Sequence, residues 1–268
     1  MRGGGRLLGS NRKGFTLAEG ATHRDPAFRL SIEKKGGKGH SQRRFGFTLA
    51  EVLVTLGIIG VVSAMTVPSL MQNYQRQSYV TQLHKVYNEL SQALVQYQTD
   101  KNAVNLREAG LGSQDAAVDF VKKYFKTVQD CGHNPSPCFA DSYKKMNGSS
   151  LNVKLYEGNT FIIASGQAIG IYFNAEGEGA YKYLLCILID INGIKGPNIQ
   201  GRDLFELFVY NTENGMLIDD LSLSGNVSEP LSAAYRDTQF STYCLAGGAG
   251  NRHGCFGKIL NDNWQMTY

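Results

Sequence analysis

The pattern of apolar and polar residues divides the chain into three zones. Residues 1–46 show almost no apolar periodicity, whereas residues 47–71 form one apolar run with a single charged side chain, Glu51. At about 1.5 Å per residue, a helix of this length is long enough to cross a hydrocarbon core of roughly 30 Å. No second run of this kind follows, so the sequence predicts one membrane crossing.

From residue 72 onward, apolar residues recur every three or four positions, as in a helix with one buried face. The pattern predicts that the apolar run continues as a single helix to about Gln98, with its second half packed on a folded domain. A second helix is predicted over 114–125, with Ser113 as its N-cap. The apolar stripe of the long helix comprises Tyr79, Val80, Leu83, Val86, Tyr87, Leu90, Leu94 and Tyr97.

Beyond residue 150 the pattern changes to short apolar segments separated by turns. Asn-Gly and Ser-Gly pairs lie between these segments, and the Asn-Gly pair at 214–215 predicts a hairpin. Short turns favour antiparallel pairing, so the predicted fold class is α+β, with the long N-terminal helix packed on an antiparallel β-sheet. The predicted strands are 151–156, 160–164, 169–173, 184–191 and 204–210.

Charge is divided unevenly between the first zone and the rest. Residues 1–46 hold 11 of the 27 Lys and Arg against three acidic residues, whereas residues 47–268 hold 16 basic and 20 acidic side chains. Because basic flanks stay on the cytoplasmic side of a membrane, residues 72–268 are predicted to be exported. An acidic folded region is unlike a nucleic-acid-binding surface, so no nucleic-acid partner is expected.

Glu51 is a residue that a simple membrane anchor does not need. A carboxylate inside a membrane costs roughly 2.5–3.5 kcal/mol on insertion scales, and such residues are functional candidates by default. Two other interpretations of the apolar run are a plain anchor and a secretory signal peptide cut near 62–64. A signal peptide is disfavoured because the run is too long and continues past that site.

Residues 43–56 read Arg-Arg-Phe-Gly-Phe-Thr-Leu-Ala-Glu-Val-Leu-Val-Thr-Leu, which resembles the prepilin processing signal of type IV pilins and type II secretion pseudopilins. The resemblance implies a pilin-like fold. It also implies that a prepilin peptidase of the membrane cuts the bond between Gly46 and Phe47 and methylates the new N-terminus. Glu51 is then fifth in the processed chain, and Pro68 lies where these proteins often carry a helix-kinking proline.

In a filament of parallel helices, the amine of a neighbouring Phe47 can pair with Glu51 away from water. We hypothesise that this pair favours assembly and sets the axial stagger of the subunits. The predicted function is a structural subunit of a type II secretion pseudopilus or a type IV pilus, with the peptidase and other pilin or pseudopilin subunits as partners. The predicted location is the bacterial inner membrane, then a periplasmic pseudopilus or a surface pilus.

The predicted organisation is a removable basic leader over 1–46, a transmembrane and assembly helix over 47–71, and an exported α+β domain over 72–268. Within the leader, residues 14–19 repeat the Gly-Phe-Thr-Leu-Ala-Glu core of the motif. The residues that follow this first copy cannot span a membrane. We interpret it as a remnant or as misassigned upstream sequence, in preference to a second cleavage site, and the start codon is left open.

All five cysteines lie in the region predicted to be exported. Two short loops are flanked by the four candidates for local disulfides: Cys131, Cys138, Cys244 and Cys255. An oxidising compartment makes two disulfides the leading interpretation, and Cys186 is then a buried thiol. Zinc is the rival interpretation, because His133 and His253 each lie near a cysteine pair.

Residues 190–205 form the most distinctive segment of the exported region. The oxygen side chains of Asp190, Asn192 and Asp203 allow a calcium interpretation, but Gly falls fourth and no Glu closes the loop, unlike in an EF-hand. The Asn-Gly and Gly-Pro pairs equally make an ordinary turn, which is the preferred interpretation. No metal ion or other cofactor is therefore predicted.

The sequence contains no catalytic constellation, so an enzyme is not expected. His84 is predicted to be exposed on the long helix, and Glu176 and Glu178 lie on a polar, Gly-rich turn. The main alternative function is a minor pilin or tip protein whose exported domain binds a surface, a secreted substrate or DNA. A membrane-anchored periplasmic enzyme is the least favoured alternative.

Overall fold

The computed structural model describes residues 46–151, 158–175, 182–212, 215–223, 225, 227, 229–247 and 252–268. Residues 53–268 form one compact unit, and the residues before Leu53 belong to a separate one. Helix α1 (Leu49–Asp100) is 52 residues long and contains Pro68. The prediction of one continuous helix is confirmed, and its observed end lies two residues beyond the predicted one.

The second half of α1 supplies one wall of the hydrophobic core. Its buried side chains recur at three- and four-residue spacing, and burying each large aliphatic one stabilises the fold by about 1.5–3 kcal/mol relative to exposure. These side chains are Val80, Leu83, Val86, Leu90, Ala93, Leu94 and Tyr97. The amphipathic stripe in the sequence therefore marks the face that packs on the domain.

Helix α2 (Gln114–Tyr124) begins where the sequence predicts it. The side chain of Ser113 accepts a hydrogen bond from the backbone N–H of Ala116 at 3.1 Å, which satisfies one of the free donors of the first turn. Phe120 packs edge-on against Tyr97 of α1, with ring centroids 5.5 Å apart. The two helices thus share the core.

The sheet is antiparallel, and among the described residues it has six strands in the order β1-β4-β5-β6-β7-β8, while β2 and β3 pair separately. The strands are β1 (Thr127–Gly132), β2 (Tyr143–Lys144), β3 (Ser150–Leu151), β4 (Asn159–Ile163), β5 (Ala168–Phe173), β6 (Leu185–Asp190), β7 (Leu204–Thr212) and β8 (Gly215–Asp219). The α+β class is confirmed, because α1 packs on this antiparallel sheet.

Four of the five predicted strands correspond to β4, β5, β6 and β7 within two residues at each end. Of the fifth, only Leu151 is described, and 152–156 lie outside the described residues. The predicted hairpin at 214–215 is supported by the antiparallel pairing of β7 with β8, in which Thr212 lies opposite Gly215. Strand β1 was not predicted, because its sequence, Thr-Val-Gln-Asp-Cys-Gly, has little apolar alternation.

The C-terminal region is helical, which the sequence pattern did not predict. Helix α3 (Ala233–Gln239) continues into a π-helical turn over Phe240–Leu245, and α4 (Cys255–Asn261) follows. Each of the two α-helices is only seven residues long, too short to show a helical period. Phe256 of α4 is fully buried in the main core, so this region completes the fold.

Both predicted disulfides are present. One joins Cys131 to Cys138, and the other joins Cys244 to Cys255 and so ties the π-helical turn to α4. Each of these sulfurs is committed to a disulfide, which removes them as zinc ligands. Cys186 is a buried free thiol, as predicted.

His84 is not exposed as the sequence analysis expects. It is partly buried, and its ring stacks on that of Trp264 with centroids 4.0 Å apart. Trp264 also meets Tyr87 edge-on at 5.0 Å. The expectation was wrong because the C-terminal residues cover this flank of α1, and nothing in the local pattern of the helix reveals that cover.

Candidate functional site

The N-terminal end of α1 is closed by a reciprocal pair of side chains, Thr48 and Glu51. The carboxylate of Glu51 accepts hydrogen bonds from the backbone N–H of Thr48 at 2.8 Å and from its hydroxyl at 2.9 Å, and the Thr48 hydroxyl accepts one from the backbone N–H of Glu51 at 3.2 Å. This is a capping box, which satisfies donors that the first helical turn leaves free. The Thr-x-x-Glu signal is present in the sequence, but sequence reasoning assigned Glu51 to assembly alone.

The peptide bond predicted to be cut lies just before this cap. Gly46 and Phe47 are exposed and precede the helix outside regular secondary structure. A Cβ added at Gly46 would meet no atom within 4 Å. Phe47 is 87% exposed. Both residues of the bond are therefore uncovered by the described part of the chain, while the cutting itself stays a prediction.

The first half of α1 carries an apolar surface that none of the described residues covers. Its most apolar 18-residue window has a mean hydropathy of 2.0, and none of it is buried. Among the described residues, α1 is the one helix long and apolar enough to cross a membrane. The exposed apolar side chains beyond Val52 are Leu53, Val54, Leu56, Ile58, Ile59, Val61, Val62, Met65, Val67, Leu70 and Met71.

Two glycines interrupt this apolar surface. A Cβ built at Gly57 or at Gly60 would meet nothing within 4 Å, so packing among the described residues requires neither glycine. Small residues on apolar helices allow a second backbone to approach closely, which is how helices associate in lipid. The first half of α1 is thus suited to contact lipid or other helices.

The segment 190–203 uses its carboxylates as acceptors within the chain. The Tyr143 hydroxyl donates to Asp190, and the backbone N–H of Asn192 donates to the same carboxylate at 3.1 Å. Asp203 accepts from the N–H groups of Asn198 and Ile199, both at 2.6 Å. This network is what a structured turn requires. Among the described residues, no group of three or more His, Cys, Asp or Glu is placed to hold a metal ion.

The same segment packs on the C-terminal disulfide. At Gly201, which has a φ of +79°, a Cβ would lie 2.9 Å from the sulfur of Cys255 and 3.0 Å from that of Cys244. Only glycine fits both this backbone conformation and this contact.

Burial raises the pKa of Asp190 to about 7, and burial also raises the pKa of Asp203. Asp190 therefore carries less negative charge near neutral pH than an exposed carboxylate does.

Two other buried carboxylates, those of Glu206 and Asp219, form ion pairs. The guanidinium of Arg252 lies 2.9 Å from the carboxylate of Glu206, and Arg236 forms a partly buried ion pair with Asp219. Asp220 accepts hydrogen bonds from the backbone N–H groups at the start of α4. These contacts hold the C-terminal elements on the sheet, and their geometry is that of structural pairs.

His253 is buried, and neither of its ring nitrogens has a hydrogen-bond partner among the described residues. Its ring lies against Tyr243, with centroids 4.3 Å apart. Burial, with a smaller contribution from Arg252, lowers its pKa to about 4. The folded protein thus holds this imidazole neutral over the range in which an unfolded histidine, with a pKa of about 6.5, takes up a proton.

Relative to a variant without this imidazole, we expect the fold to lose stability as the pH falls from about 6.5 to about 4, because the unfolded chain then binds a proton that folded His253 does not bind. The loss is about 3 kcal/mol in the free energy of unfolding. His253→Phe keeps an aromatic ring against Tyr243 and removes the titration. Denaturant unfolding of both proteins across this range measures the effect. Parallel pH profiles for the two proteins would contradict it.

Comparisons with known proteins agree with the features of α1. A model of the prokaryotic N-terminal methylation motif matches residues 41–67. Type II secretion system core protein G of Pectobacterium carotovorum subsp. carotovorum is 36% identical over 76 residues, which cover 28% of this chain and 47% of that protein. Core protein G of Aeromonas hydrophila is 35% identical over 78 residues, covering 29% and 52% respectively.

The chain spans about half the length of these curated relatives. No solved structure matches it. The matched motif contains the cap formed by Thr48 and Glu51 and most of the apolar surface of α1. The chain is therefore a pilin- or pseudopilin-like protein that carries the prepilin-type N-terminal methylation motif.

Proposed function

We propose that this chain is a structural subunit of a type II secretion pseudopilus or a type IV pilus, and not an enzyme. The observation that carries the proposal is the uncovered apolar surface of α1 with a carboxylate, Glu51, at its beginning. An apolar helix surface of this length is stable only in lipid or against other helices. In a filament core of parallel helices, other helices would surround this apolar surface after α1 leaves the lipid.

Before assembly, the proposed state is a single-pass protein of the inner membrane. Residues 1–46 stay in the cytoplasm because they are strongly basic, residues 47–71 cross the bilayer, and residues 72–268 are exported. The two disulfides support export, since disulfides form and persist in oxidising compartments.

Assembly follows removal of the leader by the prepilin peptidase between Gly46 and Phe47. The new amine lies four residues before Glu51, at a helix end where the backbone dipoles already favour a negative group. In the filament, Glu51 of one subunit pairs with the amine of Phe47 of the next. Gly57 and Gly60 permit the helices to approach closely, since a Cβ at either position would meet no atom of the other described residues within 4 Å.

The intact mass and N-terminal sequence of the chain recovered from membranes test this proposal. We expect a chain that begins at a methylated Phe47. A chain that begins near Met65 would instead indicate a secreted soluble domain. An uncut chain would indicate a plain membrane anchor, and either of these two results would overturn the proposed function.

A further inference from the structure

A cavity of about 460 Å³ opens beside the middle of α1, where the apolar surface of the helix gives way to polar residues. One wall is α1, and the other is the segment 190–203 described above. The lining residues that matter here are Gln72, Gln75, Arg76, Tyr79, Pro197 and Arg202. The lining is rich in hydrogen-bond donors and contains no carboxylate.

Two guanidinium groups face this cavity without a partner of opposite charge. Among the described residues, neither Arg76 nor Arg202 forms an ion pair, although both are partly buried. The Nε of Arg76 is buried and has no hydrogen-bond partner among the described residues. A buried donor without a partner is costly, so this arginine is incompletely satisfied in the isolated subunit.

The nearest acids do not provide this partner. The carboxylate of Asp203 accepts hydrogen bonds from the backbone N–H groups of Asn198 and Ile199. The carboxylate of Asp190 accepts hydrogen bonds from the Tyr143 hydroxyl and the Asn192 N–H. Both carboxylates are fully buried and neither belongs to the lining. The charged residues that line the cavity are therefore the two arginines.

The position of the cavity along α1 indicates what enters. The apolar surface ends at Met71, and Arg76 lies five residues further, which is about 7.5 Å along a helix. The polar head-group layer of a bilayer extends roughly 5–8 Å beyond the hydrocarbon core on each side. If the apolar run spans the membrane as proposed above, Arg76 lies at the level of the lipid phosphates.

We propose that this cavity binds the phosphate of an anionic phospholipid head group, held between Arg76 and Arg202. Guanidinium groups bind phosphate oxygens through two parallel hydrogen bonds, and Gln72 and Gln75 can donate to the remaining oxygens. The inference rests on the proposed membrane-anchored state. Its consequence is that the exported domain is docked on the outer surface of the membrane until the subunit leaves for the filament and releases the lipid.

The test uses the full-length chain inserted into phosphatidylcholine nanodiscs that contain phosphatidylglycerol as a minority lipid. Native mass spectrometry after release counts the phosphatidylglycerol molecules retained per chain, and titration of that lipid gives the affinity. We expect one retained molecule in the wild type and an affinity about 30-fold lower in Arg76→Gln/Arg202→Gln. Failure to insert into the discs at all would contradict the proposed function and is scored separately from lipid retention.

A matched control removes two positive charges elsewhere. Lys101 and Arg107 are exposed and follow the far end of α1, more than about 40 Å beyond Met71 and outside the roughly 8 Å range of charge screening. Lys101→Gln/Arg107→Gln should therefore retain the lipid like the wild type. Equal retention in this control and in Arg76→Gln/Arg202→Gln would overturn the proposal.

Two further measurements test the specificity of the site. One distinguishes hydrogen bonding by the guanidinium groups from general electrostatic attraction, and the other distinguishes a lipid site from a site for free phosphate. Arg76→Lys/Arg202→Lys keeps the charges but loses the paired hydrogen bonds, so its affinity should fall between those of the wild type and the glutamine variant. Wild-type affinity in the lysine variant would contradict recognition of the phosphate by paired guanidinium hydrogen bonds. Displacement of the lipid by inorganic phosphate or glycerophosphate would assign the cavity to a soluble anion instead.

Discussion

Replacing Glu51 with glutamine is expected to prevent filament assembly while the exported domain remains folded. The substitution keeps a side chain that can close the capping box, since glutamine serves at this position as well as glutamate does. It removes only the negative charge that the proposal pairs with the amine of Phe47 in the next subunit. The measurement is the amount of filament sheared from cells, compared with the amount of processed subunit left in the membrane.

The expected size of the effect follows from where the charge lies. An unpaired carboxylate in the membrane costs roughly 2.5–3.5 kcal/mol, and the filament relieves this cost by supplying the amine. A variant without the charge does not have this cost in the lipid, so moving into the filament gives it no corresponding stabilisation. Its association is then weaker by roughly 100-fold per subunit, and we expect no detectable filament.

Thr48 provides the matched control, because it forms the other half of the cap. Thr48→Val removes the two hydrogen bonds made by the hydroxyl and leaves the one from the backbone N–H to Glu51. The variant should lose some order at the helix start, about 1 kcal/mol, and still assemble. Assembly of Glu51→Gln together with failure of Thr48→Val would show that Glu51 acts as a cap and not as a charge partner.

The sequence predicts α1 and the central strands well because their own residues carry the signal. The apolar run and the stripe from Tyr79 to Tyr97 have helical spacing over many turns, and β5 and β6 are short apolar segments between glycine-containing turns. In these elements, local preference and tertiary packing agree. The pattern alone therefore placed their ends within a few residues.

The C-terminal elements could not be predicted because distant contacts hold them. Helix α4 is seven residues long and depends on the disulfide of Cys255 and on the hydrogen bonds that Asp220 accepts at its start. The partner residues lie 11 and more than 30 positions away in the chain. A local pattern does not contain such contacts, although the cysteine spacing did indicate the disulfide.

Some residues of the candidate sites could be identified from the sequence, and others are brought together only by the fold. Glu51 and the bond after Gly46 could be singled out from the sequence, because an acid in an apolar run is conspicuous and the motif around it is specific. The pairing of Arg76 with Arg202 across a cavity could not, since 126 positions separate them and only the packing of the segment 190–203 on α1 brings them together. Residues 14–19, the first copy of the motif, lie outside the described residues.

Replacing Gly46 with leucine is expected to abolish processing and, with it, filament assembly. A Cβ at this position meets no described atom within 4 Å, so we attribute the expected loss of processing to the fit of the side chain in the peptidase. A substrate glycine allows an enzyme to approach the backbone where a Cβ would intervene. The variant should accumulate with its leader uncut and without methylation at Phe47, and intact mass measures both properties.

The equivalent glycine of the first motif copy, Gly14, supplies the control for this experiment. Gly14→Leu should be processed like the wild type, because the residues after Glu19 are too polar to enter the membrane beside the peptidase. The reverse result, with Gly14→Leu uncut and Gly46→Leu cut, would move the cleavage site into the leader. An uncut leader also explains the expected loss of filaments, since its 11 basic residues cannot follow α1 into an apolar filament core without partners.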